Sequence, residues 1–283
     1  PYTGTNDFAV YDGRTYVVFP PFPALLLLPF VAIAGSAERV PDGQLFLWLA
    51  GVGPALLFLA LEKLRRARLS DTGERENALW ALLFAFVRVY LFSAVQGTVW
   101  LVAHVVAAAL AALYVAASIG GARALLAGTA LALAFATRAP LIFAAPLFVM
   151  EAVRASAPAE ACPLDGPLPY ARSLDRRALG RRLAVFALPV AVVLSALLAY
   201  NAARFDDPFE FGYRYLTVVW RARIEKWGLF DYHYLAKNLG VVLTSLPWVP
   251  GQRAPFTINH HGLALWATAP LYFLLFRPKQ WTA

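Results

Sequence analysis

The stretch FPPFPALLLLPFVAIAG, Phe19 to Gly35, decides how the chain is arranged, because it is apolar enough for lipid and yet contains four prolines. Seventeen helical residues would cover about 25 Å, which is less than the ~30 Å hydrocarbon core of a bilayer. Pro23 and Pro29 also remove backbone donors and disfavour a straight helix. We therefore predict a short extracytosolic juxtamembrane helix that enters the outer leaflet without crossing the membrane.

The composition around this stretch is that of a membrane protein. Of the 283 residues, 60% are hydrophobic and only 15% are charged, and the mean hydropathy is +0.59. Soluble domains are nearer 45–50% apolar and about 25% charged. We predict an all-α, polytopic transmembrane helical bundle. Its remaining apolar segments are 44–61, 78–95, 98–117, 124–137, 140–153, 183–201, a weaker 239–249, and 263–276.

Charge sets the expected topology of this bundle. Residues 62–77 contain five Lys or Arg and residues 154–182 contain six Arg, so the positive-inside rule places both segments in the cytosol. Four apolar segments lie between them, an even number, and the two placements agree. We therefore expect a single transmembrane domain over 1–283, composed of an extracytosolic loop with the juxtamembrane helix (1–43), a helical bundle (44–201), a second extracytosolic loop (202–262) and a transmembrane helix (263–276).

Several classes of protein are excluded by residue content. The net charge of +8 lies in loops between apolar segments, which reports topology and gives no indication of nucleic-acid binding. The lone Cys162 excludes an internal disulfide and a cysteine-based metal site. No spacing rule makes metal ligands of His233, His260 and His261, so no metal site is predicted. Because the chain begins with Pro1, we expect it to be part of a longer protein.

Polar residues within apolar segments are the candidate functional groups. Arg88 and His104 each lie about 11 Å below the turn at Gln96, so they could share one cavity. Arg138 joins the short segments 124–137 and 140–153, and a charge at membrane depth usually faces a cavity or a partner. Contact of Arg138 with a phosphate is one interpretation. The alternatives are that Arg88 snorkels or pairs with a carboxylate, and that His104 is a core histidine.

The two predicted extracytosolic loops contain the acidic candidates. Asp7 and Asp12 precede the proline-rich stretch, and the YDGRTY sequence predicts a turn at Asp12. Asp206, Asp207 and Glu210 are interpreted as solvated loop or helix-cap residues. The rest of the second loop is rich in Tyr, Trp, Phe and Arg, which suits a helix in the headgroup layer or a surface that binds an anionic headgroup.

The sequence resembles a known enzyme family in four stretches. NDFAVYDGRTYVVFPPFPALLLLPF (6–30) is similar to the end of the first extracytosolic loop in GT-C glycosyltransferases, in the bacterial branch related to protein mannosyltransferases and the lipid A aminoarabinose transferase. The three others are LAFATRAPLIFAAP (133–146), YNAARFDDPFEFGYRY (200–215) and HHGLALWATAP (260–270). The resemblance follows chain order and implies a GT-C-like bundle.

The resemblance also implies an activity. It is the inverting transfer of a sugar from a polyprenyl-phosphate carrier to a glycan, lipid or protein acceptor, on the outer face of a bacterial inner membrane. Membrane lipid is then a partner, nucleic acid is not, and no nucleotide site is expected. No cofactor is assigned with certainty, and a divalent cation is left open.

The resemblance assigns roles to particular residues. The family's catalytic Asp is expected upstream of Pro1, which leaves Asp7 and Asp12 as weak substitutes. Arg138 matches the basic residue at the apex of the family's short helix pair. The expected substrate-binding residues are Arg138, Arg88, His104, Gln96, Arg204 and Tyr213. Gln96 lies where relatives often have an acidic residue.

Two other functions stay open on this sequence. One is a transporter or flippase of a lipid-linked anion, in which the basic residues would form a pathway. The other is a non-catalytic membrane scaffold, which the missing second acid allows. The halves of the chain show no repeat, and the polar residues cluster towards one face, so the enzyme is favoured.

Overall fold

The computed structural model describes residues 7–86, 89–158, 174–218, 220–229, 231–246, 248–249, 257–258, 262–270 and 273. These residues are mostly helical, as the composition predicts. They form two compact units. One contains the described residues from Phe19 to Phe209, and the other contains those up to Val18 together with those from Glu210 onward. The single transmembrane domain over 1–283, with its segment boundaries at 43, 201 and 262, stays a prediction.

The larger unit is entirely helical in its described part. Its helices are α1 (Phe22–Ala34), α2 (Asp42–Leu49), α3 (Val52–Arg66), α4 (Glu74–Phe86), α5 (Val89–Gln96), α6 (Val99–Ser118), α7 (Ala124–Phe135), α8 (Pro146–Arg154) and α9 (Arg176–Phe205).

Three helical segments in the described residues are long and apolar enough to cross a membrane. They are Asp42–Arg66, which combines α2 and α3, then Trp100–Ser118 within α6, and Arg176–Phe205, which is α9. The axes of α4 and α5 differ by 51°, and together they would make a fourth segment. These segments contain the predicted 44–61, 98–117 and 183–201 almost completely. The chain therefore has the features of a polytopic helical membrane protein.

The proline-rich stretch forms helix α1, which has 13 residues. Its length is about 20 Å, so α1 is too short to cross the hydrocarbon core alone. Pro23 lies in the first turn, where no N–H donor is needed, and the helix continues through Pro29. Gly35 ends it in the left-handed conformation, with φ of 71°. The short helix is confirmed, and its place at the outer leaflet stays a prediction.

The two helices on either side of Arg138 are shorter than the sequence indicates. We expected two arms of 14 residues, 124–137 and 140–153. The first arm, α7, has 12 residues. The second arm is broken into a 3₁₀ turn over Ala139–Ala144 and the nine-residue α8. Pro146 opens α8 and has no N–H to continue the preceding turn, which explains the break.

The core of the larger unit lies where α6, α7, α8 and α9 pack. Tyr114, Leu131, Phe148 and Phe186 are its buried large side chains, and the rings of Phe148 and Phe186 stack with centroids 4.3 Å apart. Helices α7 and α9 approach most closely at Gly128. A Cβ atom there would lie 2.1 Å from the carbonyl oxygen of Phe186. A glycine is therefore required at this crossing.

Basic residues close the ends of the helices at the predicted cytosolic face. Lys63 Nζ donates to the carbonyl oxygens of Ala116 and Ile119, 2.7 and 2.8 Å away, at the end of α6. Arg182 donates to the carbonyl oxygens of Gly121 and Ala155. Cations at carbonyl ends of helices satisfy orphan acceptors and complement the helix dipole.

The smaller unit contains the predicted turn. Strands β1 (Phe8–Tyr11) and β2 (Arg14–Val17) pair antiparallel around it. Asp12 and Gly13 both have positive φ, 46° and 70°, as a two-residue type I′ hairpin requires. The turn at YDGRTY is therefore confirmed. Tyr11 packs against Tyr215, with ring centroids 4.9 Å apart.

The predicted second loop has regular structure. Helix α9 extends to Phe205, beyond the expected end at 201. The elements that follow are α10 (Arg221–Trp227), α11 (Leu235–Thr244), the pair β3 (Trp248–Val249) and β4 (Thr257–Ile258), and α12 (Leu265–Thr268). The weak segment 239–249 overlaps α11. Of the predicted helix 263–276, α12 is described, and residues 271–272 and 274–276 lie outside the described ranges.

Candidate functional site

A side-chain contact joins Arg138, just after α7, to His104 in α6. Arg138 Nη2 lies 2.8 Å from His104 Nε2 and donates to the carbonyl oxygen of Trp100, also at 2.8 Å. Because a guanidinium has no acceptor, His104 Nε2 accepts this bond and is unprotonated. The imidazole nitrogen and the carbonyl oxygen are both electrically neutral acceptors, and they fix the position of the guanidinium.

Local backbone structure presents the Arg138 side chain. Helix α7 ends at Phe135, and Thr137 is fully buried with its hydroxyl donating to the carbonyl oxygen of Leu133. Arg138 itself is extended, with φ of −144° and ψ of 103°. The chain therefore turns out of the helix at Arg138, and the next residues form the 3₁₀ turn. The guanidinium is directed to the start of α6.

Helix α6 supplies two partners of Arg138, the Trp100 carbonyl oxygen and His104 Nε2. The two residues lie four positions apart in the first two turns of the helix. Because the Trp100 partner is a backbone oxygen, the residue type at this position gives no sequence signal for the contact. The prediction named His104 and missed Trp100.

The proline-rich stretch is attached to the same place. The ring of Phe19 packs edge-on against Trp100, with centroids 4.7 Å apart. The backbone N–H of Phe22 donates to the carbonyl oxygen of Ala136 at 3.2 Å. The start of α1, the start of α6 and the end of α7 therefore meet around Arg138. Phe143, on the 3₁₀ turn that follows Arg138, is 75% exposed.

The other predicted residues of this unit have different surroundings. Gln96 ends α5 and is exposed. Its neighbour Gly97 has φ of 59° and approaches Gly43, where an added Cβ would lie 3.0 Å from the Gly43 Cα. Arg88 lies outside the described residues, so its proposed cavity with His104 is untested. The Arg204 guanidinium lies over the rings of Tyr200 and Phe205, at 4.5 and 4.7 Å.

The acidic candidates lie in turns and caps. Asp12 is exposed in the hairpin turn, and Asp7 is half-buried just before β1. Asp206 ends α9 in the left-handed conformation, and Asp207 accepts a hydrogen bond from the Phe209 N–H. The interpretation of Asp206 and Asp207 as cap or loop residues is confirmed.

Glu210 corrects our prediction of a solvated residue. It is only 6% exposed. Its carboxylate accepts from the Gly212 N–H at 2.7 Å and pairs with Arg214 at 2.5 Å. The pair has the i,i+4 spacing, which was readable from the sequence, whereas burial of the acid was not. Tyr213, a predicted substrate contact, is half-buried at the start of the 3₁₀ turn Tyr213–Tyr215 in the same segment.

A second histidine contact lies between α10 and α11. The Asp231 carboxylate accepts from the His233 backbone N–H at 3.0 Å and also contacts the His233 imidazole. These bonds lower the pKa of Asp231 below its ordinary value. The ring of His233 stacks on Trp227. Within the described ranges, no three His, Cys, Asp or Glu side chains are grouped closely enough to bind a metal, and His260 and His261 fall outside those ranges.

We expect Tyr114→Phe to destabilise the helix pair that presents Arg138. Tyr114 is 1% exposed, and its hydroxyl donates to the Ala144 carbonyl oxygen and accepts from the Phe148 N–H. Phenylalanine would leave that buried N–H without a partner, at a cost of about 1–3 kcal/mol. Thermal unfolding in detergent measures the effect.

Tyr90→Phe is the matched control for this experiment. The Tyr90 hydroxyl donates to the Ala50 carbonyl oxygen at 2.7 Å, so its removal affects one acceptor, whereas removal of the Tyr114 hydroxyl affects both a carbonyl oxygen and an N–H. We expect a smaller loss, about 0.5–1.5 kcal/mol. Equal losses in the two variants would show that the Phe148 N–H does not depend on Tyr114.

Comparison with known proteins gives no further assignment. No family model matches the sequence, and searches of curated proteins and of solved structures find no match either.

Proposed function

We propose that this chain is part of a membrane glycosyltransferase of the GT-C type, which transfers a sugar from a polyprenyl-phosphate carrier to an acceptor on the extracytosolic face of a bacterial inner membrane. The observation that carries the proposal is the Arg138 guanidinium, held by the neutral His104 and Trp100 contacts at the end of a short helix. A positioned cation at this depth suits a lipid-linked phosphate.

The chemistry assigns Arg138 to the leaving group. The acceptor oxygen forms a bond to the anomeric carbon, the bond from that carbon to the phosphate oxygen breaks, and the acceptor proton passes to a carboxylate. Negative charge develops on the departing polyprenyl phosphate. A cation fixed beforehand stabilises that charge without having to reorganise. Asp7 and Asp12 are the weak candidates for this carboxylate within the chain.

The aromatic surroundings suit the rest of the donor. Phe19 packs on Trp100, whose carbonyl oxygen accepts from Arg138, and the Trp100 side chain is itself exposed. Aromatic rings at a membrane interface pack well against both a sugar ring and the first units of a polyprenyl chain. The helix α1 would then cover the outer-leaflet end of the carrier.

The proposal is tested by following the donor in proteoliposomes. The full-length protein is reconstituted with a labelled polyprenyl-phosphate sugar and with acceptor extract from the source membranes. Release of free polyprenyl phosphate, together with labelled acceptor, is the expected result. Movement of the intact donor between leaflets without cleavage would instead identify a flippase. The absence of both cleavage and movement would indicate a scaffold.

The predicted topology has its own test. Asp12→Cys, made in a full-length background without Cys162 or any other cysteine, provides one reporter for a membrane-impermeant thiol reagent. We expect labelling from outside intact cells, because α1 does not cross. Protection before lysis, with labelling of the unfolded protein afterwards, would contradict an extracytosolic site.

A further inference from the structure

A basic cleft lies at the opposite end of the helices from Arg138. It has a volume of ≈ 420 Å³ and is formed where the start of α7 meets the first turns of α9. Its charged lining residues are Arg123, Arg181 and Arg182. The residues that line it include no carboxylate. The cleft therefore concentrates positive charge in a small concave volume.

The three arginines differ in how they are held. Arg182 is half-buried, and its two bonds to carbonyl oxygens, at 2.9 and 3.2 Å, fix it in the floor between α7 and α9. Arg123 and Arg181 are exposed at the rim. Among the described residues, neither of these two forms an ion pair. Glu151, the nearby acid, accepts from the Gly120 N–H and does not line the cleft.

The remaining wall of the cleft is apolar and faces outward. Leu125, Leu126 and Val185 line it and are all exposed. They continue into α9, whose most apolar window is only 6% buried within the protein. In a membrane, this surface of α9 contacts acyl chains. The cleft thus combines a cationic end with an apolar side that leads into the lipid.

We propose that this cleft binds the phosphate headgroup of an anionic phospholipid of the cytosolic leaflet. Basic pockets between transmembrane helices bind anionic headgroups in this way, because fixed cations and a lipid-facing wall match the two parts of the molecule. Arg123 and Arg181 contact the phosphate, and Leu125, Leu126 and Val185 contact the first methylene groups. This assignment does not depend on the proposed transferase activity.

Native mass spectrometry of the full-length protein tests the proposal, with phosphatidylglycerol and phosphatidylcholine as probes. We expect phosphatidylglycerol to bind at least tenfold more tightly than phosphatidylcholine, and Arg123→Gln with Arg181→Gln to remove that preference. Both side chains are exposed and rim-located, so the double variant should fold. Arg66→Gln with Arg75→Gln is the matched control, since it removes two exposed cations from the other basic segment.

A second variant keeps the test decisive if the first fails to fold. Val185→Glu adds a carboxylate to the cleft wall and leaves the arginines in place, and we expect it to reduce phosphatidylglycerol binding at least tenfold. Three results would overturn the proposal: equal binding of both lipids, retained preference in either cleft variant, or an equal loss in the control. Displacement of phosphatidylglycerol by millimolar inorganic phosphate would overturn it too, because the site would then recognise free phosphate.

Discussion

Replacing Arg138 with glutamine is expected to reduce sugar transfer from a polyprenyl-phosphate donor by about 10²–10³-fold, the usual effect of removing one preorganised group that stabilises developing charge. Glutamine keeps the polarity and the stem of the side chain but is too short to place a nitrogen where Arg138 Nη2 lies, so it removes both the charge and the contact with the Trp100 carbonyl oxygen. The loss should appear in kcat more than in KM, because negative charge on the phosphate is greatest when the sugar is leaving. Initial rates over a range of donor concentrations measure both constants.

Two further variants separate charge from geometry at Arg138. Arg138→Lys keeps a positive charge but loses the planar fork that contacts His104 and Trp100, so we expect partial activity, between the wild type and the glutamine variant. Arg39→Gln removes an exposed cation from the same predicted face and should leave the rate unchanged. If Arg138→Gln were as active as Arg39→Gln, the assignment of Arg138 to the leaving phosphate would be wrong.

The second large effect is expected at the crossing of α7 and α9. Gly128→Ala would place a methyl group 2.1 Å from the Phe186 carbonyl oxygen and 2.8 Å from Pro189 Cγ. Neither neighbour is the end of a flexible side chain, so the helices must separate. Overpacking usually costs 1–3 kcal/mol, and a clash with backbone puts this variant at about 3 kcal/mol or more. Monodisperse yield and thermal unfolding in detergent measure the loss.

Gly180→Ala provides the control within the same helix. Gly180 lies in α9 with no atom within 4 Å of the added Cβ. Alanine there should be neutral or stabilising by about 0.5–1 kcal/mol, because glycine costs more conformational entropy in a helix. A Gly128→Ala protein with the same melting temperature as Gly180→Ala would show that α7 and α9 do not cross so closely.

Local signals in the sequence predicted the parts of the fold that depend on few residues. The Asp12–Gly13 pair specifies its hairpin, because a type I′ turn needs positive φ at both central positions. The three long helices follow from runs of apolar residues. The shortness of the segments beside Arg138 singled out that residue without any knowledge of packing.

Contacts between residues that are distant in the sequence could not be predicted from local signals. Arg138 and His104 are 34 residues apart, and their pairing depends on how α6 and α7 pack. The same is true of the bond from Phe22 to Ala136, which brings α1 to the site. The burial of Glu210 could not be inferred from the local sequence, because it depends on how the segment folds back on itself. The break in the second short arm needed the position of Pro146 relative to the preceding 3₁₀ turn.

The contacts of Lys63 and Arg182 have a consequence for biogenesis. Both residues contribute to the positive charge that orients the nascent chain in the bilayer, and insertion occurs before the helices pack. Once α6 and α7 are in place, the same side chains close the ends of neighbouring helices through carbonyl oxygens. The same charges thus orient the chain during insertion and later stabilise the packed helices through hydrogen bonds. A neutral side chain at Lys63 or Arg182 would therefore alter both the contacts of the folded protein and the fraction of chains inserted in the right orientation.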